Sequence, residues 1–277
     1  MANLKGMLTP EEQHQKDLET LEQLRLLDDT FMREAFRNNL KLAQFVLRIV
    51  ISKPDLTLTK EETQYDLQHL FGSRSITLDV FGVDNDGKQY DFEVQIADEG
   101  ADSHRARYHS AAMDVDNLKV REDFKSLPDT YVIFFTENDV FGKRQPIYII
   151  ERMNMTTNEP FNDGEHIIYI NGAYDNSEDT SDLAKLIHDF RCKKADDIIL
   201  SPLAERVKFL KETPKGVEHM CKVMEERVKD AEYREKVSFA VKLLKRGKDT
   251  IEEIAELTGL TIEVVNQINE ELKGIPA

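Results

Sequence analysis

The chain has 277 residues, with 37 Lys and Arg against 53 Asp and Glu and a formal net charge of −16. That length buries one substantial core and leaves room for a small appended module. No run is apolar enough to span a bilayer and the opening residues lack the apolar region of a signal peptide, so no membrane partner is expected, while the net charge disfavours nonspecific binding to nucleic acid unless basic residues are gathered locally.

They are gathered to some degree: residues 204–249 hold 13 Lys and Arg against 9 Asp and Glu, a mix that suits a solvated helical surface or a DNA-facing patch equally well. Only Cys192 and Cys221 are present. Without metal-type spacing they read as reduced thiols in a cytoplasmic protein.

Residues 1–25 read as a polar helical lead-in. Residues 26–51 place Phe31, Phe36, Leu40, Ala43, Phe45, Leu47 and Val50 at mostly helical intervals, with Asp28 or Asp29 as a cap and Pro54 as the stop. Residues 55–67 turn extended and continue as a strand before a turn near Gly72. A β-hairpin over 76–96 follows, then a helix from about Ala101 that carries His104, Arg105 and Arg107. Residues 131–136 and 145–150 read as strands, 153–163 as loop, 166–171 as a last short strand, and SEDTSDLAKLIHDF as a helix. Residues 201–249 form a long helical segment interrupted at Pro214-Lys215-Gly216. In 250–277, Ala255, Gly259 and Val265 have helix-turn-helix spacing. That tail presents Glu263, Glu270 and Glu271 against Lys273 alone, which suits protein contact better than base reading.

The hairpin ITLDVFGVDNDGKQYDFEVQI carries the clearest chemistry. Its two β-rich runs flank Asn85-Asp86-Gly87, with glycine where a left-handed residue is needed. A type I turn closed by a glycine bulge pairs Asp84 with Lys88. Carried outward, that register sets Val80 opposite Phe92, Leu78 opposite Val94 and Ile76 opposite Ile96 on one apolar face. The other face sets Asp79 opposite Glu93 and Thr77 opposite Gln95. A slip of one residue mixes the faces, so the apolar pattern selects this pairing.

Directly opposed carboxylates repel unless a cation stands between them or one is protonated. Carboxylates on a polar strand face more often just meet solvent. The opposition itself, the amide of Gln95 and the arginines of the following helix together favour a metal site for phosphate chemistry.

Asp on one strand and Glu-x-Gln on its neighbour resembles the signature of the PD-(D/E)XK nuclease superfamily. The wider text resembles the bacterial PD-(D/E)XK nuclease-family transposases, the recombination-promoting nuclease group. The matching pieces are LDDTFMREAF, TQYDL, SITLDVFGVDNDGKQYDFEVQ, RARYHSAAMD, YVIFFTENDVFGK, PIYIIER, GEHIIYINGAY, KLIHDFRC and GVEHMCKVMEE, in order from about residue 26 to about residue 226.

The resemblance implies an α/β fold: a restriction-endonuclease-like core with a central mixed β-sheet flanked by helices, plus a helical C-terminal part. Residues 26–200 then form the nuclease-like domain. It also implies a metal-dependent DNA endonuclease hydrolysing phosphodiester bonds, linked to a mobile element, recombination or defence. Asp79, Glu93 and Gln95 would be its catalytic set, and Asp79, Glu93 and the Val94 carbonyl would hold Mg²⁺ or Mn²⁺. Arg105, Arg107 and Tyr108, in the RARY stretch, would meet the DNA backbone.

Some members place a further acid on the opening helix, where Asp29 and Glu34 stand here. The superfamily usually has Lys at the position of Gln95, a departure that bears on rate more than on reaction type. Two other readings remain beside the enzyme. One is a nuclease fold without catalysis that binds DNA; the other is an oligomeric partner-binding protein, with a homodimer through the C-terminal helices. The intact set of Asp79, Glu93 and Gln95 favours the enzyme.

Overall fold

The computed structural model describes residues 9–67, 77–96, 101–118 and 120–274. A helix, α1 (Pro10–Gln23), fills the polar lead-in. The stretch read as one helix over 26–51 is two, α2 (Asp29–Phe36) and α3 (Leu40–Val50). Asn38 takes a left-handed φ of 53°, and Asn39 caps α3 by accepting from the Leu42 N–H. Asparagine tolerates both positions, so two in succession end one helix and start the next. The apolar pattern runs across the break because both helices bury what it marks, Phe31, Met32 and Phe36 on α2 and Leu42, Ala43, Val46, Leu47 and Val50 on α3. Asp28 stands at the N-cap of α2 but its carboxylate serves Arg25 instead.

The strands are β1 (Leu58–Asp66), β2 (Thr77–Asp84), β3 (Gln89–Gln95), β4 (Thr130–Thr136), β5 (Ile147–Ile150), β6 (Met153–Asn154), β7 (Glu159–Pro160) and β8 (Glu165–Asn171). Six of them form one mixed sheet in the order β1-β2-β3-β4-β8-β5. The β1–β2, β2–β3 and β5–β8 pairs are antiparallel, while β3, β4 and β8 are mutually parallel. A parallel step needs a crossover, and α4 (Ser103–Asn117) lies between β3 and β4 in the chain. The remaining pair, β6 and β7, is a small hairpin inside the stretch read as loop.

The β2–β3 register is the one the apolar pattern demands: Val80 faces Phe92, Phe81 faces Asp91, Gly82 faces Tyr90 and Val83 faces Gln89. Gly87 closes the turn at φ 80°, where its N–H bonds the Asp84 carbonyl, and the Asp84 N–H bonds the Lys88 carbonyl. The Asp84 carboxylate pins the turn from inside, accepting from the N–H groups of Asp86 and Lys88 and from the Tyr90 hydroxyl. Ile76 of the outermost expected pair, and the turn near Gly72, lie outside the described residues.

Both faces of the sheet are covered. On one, the Phe92 ring lies 5.9 Å from Phe36, 6.4 Å from Phe135 and 6.1 Å from Phe190. The other gathers Phe81, Ala106, Met113, Val132, Phe134 and Tyr169 into one buried cluster. The face carrying Glu93 is therefore interior, with Asp91 and Glu93 both buried.

Helices α5 (Asp182–Arg191) and α6 (Ser201–Glu212) follow the sheet. The Arg206 guanidinium on α6 donates to the Glu34 and Ala35 carbonyls at the end of α2, satisfying acceptors that a helix end leaves open. These elements belong to a compact unit spanning Leu18–Val217; the segments up to Asp17 and from Glu218 form a second, helical unit. Most of α7 (Pro214–Arg246) lies in the second unit, with α8 (Ile251–Thr258) and α9 (Ile262–Gly274). Their core is Ala240, Leu243, Ile254, Ala255, Leu260, Val265 and Ile268. Thr250 and Glu253 form a capping box at the start of α8, and Gly259 ends it at φ 68°. Among the described residues no helix is long and apolar enough to cross a membrane.

Phe92 is the hub of one core face, so Phe92→Ala should cost about 3–5 kcal/mol of unfolding free energy by urea titration. Phe161→Ala, at a ring that is 61% exposed, should stay within about 0.5 kcal/mol of wild type.

Candidate metal centre

Asp79 on β2 and Glu93 on β3 meet as the register requires. The Asp79 backbone N–H donates to Glu93 Oε1 at 3.0 Å. Each carboxyl also has its own arginine. Arg105 on α4 donates from Nη2 to Glu93 Oε2 at 3.1 Å. Arg33 on α2 places Nη1 3.6 Å from Asp79 Oδ1 and bonds Asp29 through Nη2. Gln95 donates from Nε2 to Glu93 Oε2 at 3.3 Å.

Two further groups complete the cluster. Asp91 is two residues before Glu93, so both project from the same face of β3. Its Oδ2 lies 2.8 Å from His109 Nδ1 on α4, and that nitrogen is 4.0 Å from Glu93 Oε1. Arg105 donates its Nε–H to His109 Nε2 at 3.3 Å. A guanidinium only donates, so Nε2 is the acceptor and Nδ1 carries the ring proton toward Asp91. Burial and the nearby Arg105 charge lower the His109 pKa, in agreement with a neutral ring. Ligand atoms of Asp91, Glu93 and His109 converge within 4.8 Å of one another.

Burial dominates the electrostatics. Asp79 is pushed up to about 8 by burial first, then by Glu93 and Asp29, against the pull of Arg33 and Arg105. Glu93 is pushed up to about 7 by burial and Asp91, opposed by His109, the Asp79 N–H and Arg105. Asp91, fully enclosed, rises well above the usual carboxylate range through burial and the charge of Asp79. Its Oδ1 has no hydrogen-bond partner. Three carboxyl groups and one imidazole, with one buried oxygen unsatisfied, form a donor set that could hold a divalent cation.

The residues singled out in the sequence fall into three places. Asp79, Glu93 and Gln95 come together with Arg105, and Val94 is buried between the two polar strand positions. Asp29 stands near Asp79 through their shared partner Arg33, whereas Glu34 pairs with Arg37. Arg107 and Tyr108 are exposed on α4. Asp91, His109 and Arg33 were not singled out. Two spacings hint at the first two: Asp91 shares the strand period of Glu93 and Gln95, and His109 lies one helical turn after Arg105.

Over residues 31–236 the chain matches the family described as PD-(D/E)XK nuclease family transposase. The chain belongs to that family. No curated protein and no solved structure matches it. The matched span contains the whole hairpin, α4 and both arginines of this PD-(D/E)XK family cluster. A second trio of potential ligands, His188, Asp189 and Cys192, lies at the end of α5. There Asp189 already accepts the N–H groups of Ile199 and Leu200, which gives it a structural role in this family member.

Raised carboxyl pKa values mean that the native protein holds protons that unfolding releases. The resulting stability is full below about pH 4 and is lost as pH climbs through the raised values of about 7 and 8. In EDTA, the melting temperature of wild type should therefore fall more steeply from about pH 5 to about pH 8 than that of Asp79→Asn. Parallel pH profiles would show that Asp79 titrates as an ordinary surface acid.

Proposed function

We propose that this chain is a metal-dependent DNA endonuclease that hydrolyses phosphodiester bonds, linked to a mobile element, recombination or defence. The observation that carries the reading is the buried junction of Asp79 and Glu93, two strand-borne carboxyls faced by separate arginines. Such a junction needs positive charge in its interior and is made of hard oxygen donors. Its family supplies the reaction class.

Asp79 and Glu93, with the Val94 carbonyl, would hold Mg²⁺ or Mn²⁺. A bound divalent ion lowers the pKa of water and offsets charge on phosphate oxygens. Gln95 holds Glu93 Oε2 through its amide nitrogen, and its carbonyl oxygen is free in chemical type to accept a hydrogen bond from the attacking water. It cannot take up a full proton, so the proton must pass to a carboxylate or to solvent. Arg105 reaches Glu93 from α4, Arg107 and Tyr108 are exposed on the same helix, and all three would contact backbone phosphates. Asp29, through Arg33, adjusts the charge around Asp79.

DNA is the partner this reading requires, and residues 26–200 are the part that handles it. A second copy of the chain is the other partner, through the C-terminal helices, where Val228, Tyr233 and Phe239 on α7 are exposed. The acidic tail over 250–277 contributes to the helical unit and not to DNA reading.

A supercoiled plasmid should be nicked in Mg²⁺ or Mn²⁺ and remain intact in EDTA. Asp79→Asn and Glu93→Gln should abolish nicking. They should also erase the thermal stabilisation that Mn²⁺ gives wild type, about 2.7 kcal/mol at a hundredfold excess over the dissociation constant. Gln95→Ala should keep that stabilisation and lose most of the rate, while Gln95→Lys should raise the rate. Equal metal shifts in all variants would remove the physical basis of the proposal.

A further inference from the structure

The two carboxylate oxygens of Glu93 have partners of different kinds. Oε1 accepts the Asp79 backbone N–H at 3.0 Å, a bond between adjacent strands that the sheet holds in place. Among the described residues Oε2 accepts only side-chain donors, Arg105 Nη2 at 3.1 Å and Gln95 Nε2 at 3.3 Å. An ion bound by Glu93 competes for these same lone pairs. Rotation of the donor side chains frees Oε2, whereas the donor to Oε1 is backbone, and of the two donors to Oε2 Arg105 carries charge.

The pair is also asymmetric in access. The Glu93 side chain is 1% exposed and that of Arg105 is 41% exposed. The guanidinium is thus the solvent-facing partner of an interior carboxylate. It is not a loose surface pair of the kind that contributes little. A second bond, from Nε to His109 Nε2, holds the fork in line, and His109 is itself tied to Asp91.

We propose that Arg105 gates the metal site. Its guanidinium occupies Glu93 Oε2 in the ion-free protein, leaves when a divalent cation binds there, and then pairs with a DNA phosphate. This inference rests on the nuclease reading of the same site. Guanidinium forms the same charge-assisted bonds with carboxylate and with phosphate. The exchange therefore keeps Arg105 paired while the ion takes over Glu93. Ion and DNA then favour one another, by the same factor in both directions.

The test is Mn²⁺ binding by calorimetry on full-length protein, with and without a short phosphorothioate duplex that retains its negative charge. Without DNA, Arg105→Gln should bind Mn²⁺ about tenfold more tightly than wild type, the scale of a coupling between linked sites. Lys222→Gln, which removes an equal charge from an exposed pair on α7, should bind as wild type does. The duplex should tighten Mn²⁺ binding to wild type and leave Arg105→Gln unchanged. Unaltered or weaker Mn²⁺ binding by a folded Arg105→Gln would overturn the gate. So would wild type whose Mn²⁺ affinity ignores the duplex, a reading that needs no variant to fold. Glu93→Gln separates the two levels. If it loses Mn²⁺ binding while Arg105→Gln gains none, the gate fails and the nuclease reading stands. If it binds Mn²⁺ like wild type, the nuclease reading itself fails.

Discussion

A carboxylate withdrawn from water must find a cation, a proton or hydrogen-bond donors, and the centre of this protein is organised by that requirement. Asp79, Asp91 and Glu93 sit together on two adjoining strands whose faces are both covered. All three remedies are in use: Arg33 and Arg105 supply charge, raised pKa values keep protons on the group, and the Asp79 N–H, Gln95 and His109 donate hydrogen bonds. None of them is complete, since Asp91 Oδ1 has no partner. A site left short of positive charge in this way could hold a divalent ion.

The same requirement reconciles a chain of net charge −16 with the proposed phosphate chemistry. Overall charge acts at long range and is screened by salt beyond about 10 Å. At the hairpin what counts is Arg33 and Arg105, brought close by α2 and α4. Within residues 204–249, where the basic count exceeds the acidic, Arg206 braces the end of α2, the helix that carries Arg33. In the tail, the Thr250 capping box, Gly259 and buried Val265 show the helix-turn-helix spacing serving as a packing pattern.

What the sequence made legible was whatever a short-range pattern encodes. Gly87 and the alternation Leu78, Val80, Phe92 and Val94 determine the hairpin register, because a slip of one residue would exchange its faces. That register was enough to set Asp79 beside Glu93. The break between α2 and α3 was missed, since Asn38 and Asn39 interrupt a helix without interrupting its apolar period. The β6–β7 pair was missed because two-residue strands have no period to detect. Asp91 and His109 were missed for a different reason. Their contact joins a strand to a helix 18 residues on, and nothing along the chain marks which side chains of two elements will touch. Arg105 was expected to meet the DNA backbone, and its bond to Glu93 became visible only in three dimensions.

The most direct test of the account is a crystal structure of the protein soaked with Mn²⁺, with the ion located by its anomalous scattering. The account predicts one strong peak in contact with Asp79 and with Glu93 Oε2, and an Arg105 guanidinium no longer bonded to that oxygen. A peak confined to other ligands, or none at Mn²⁺ concentrations that saturate binding in solution, would contradict it.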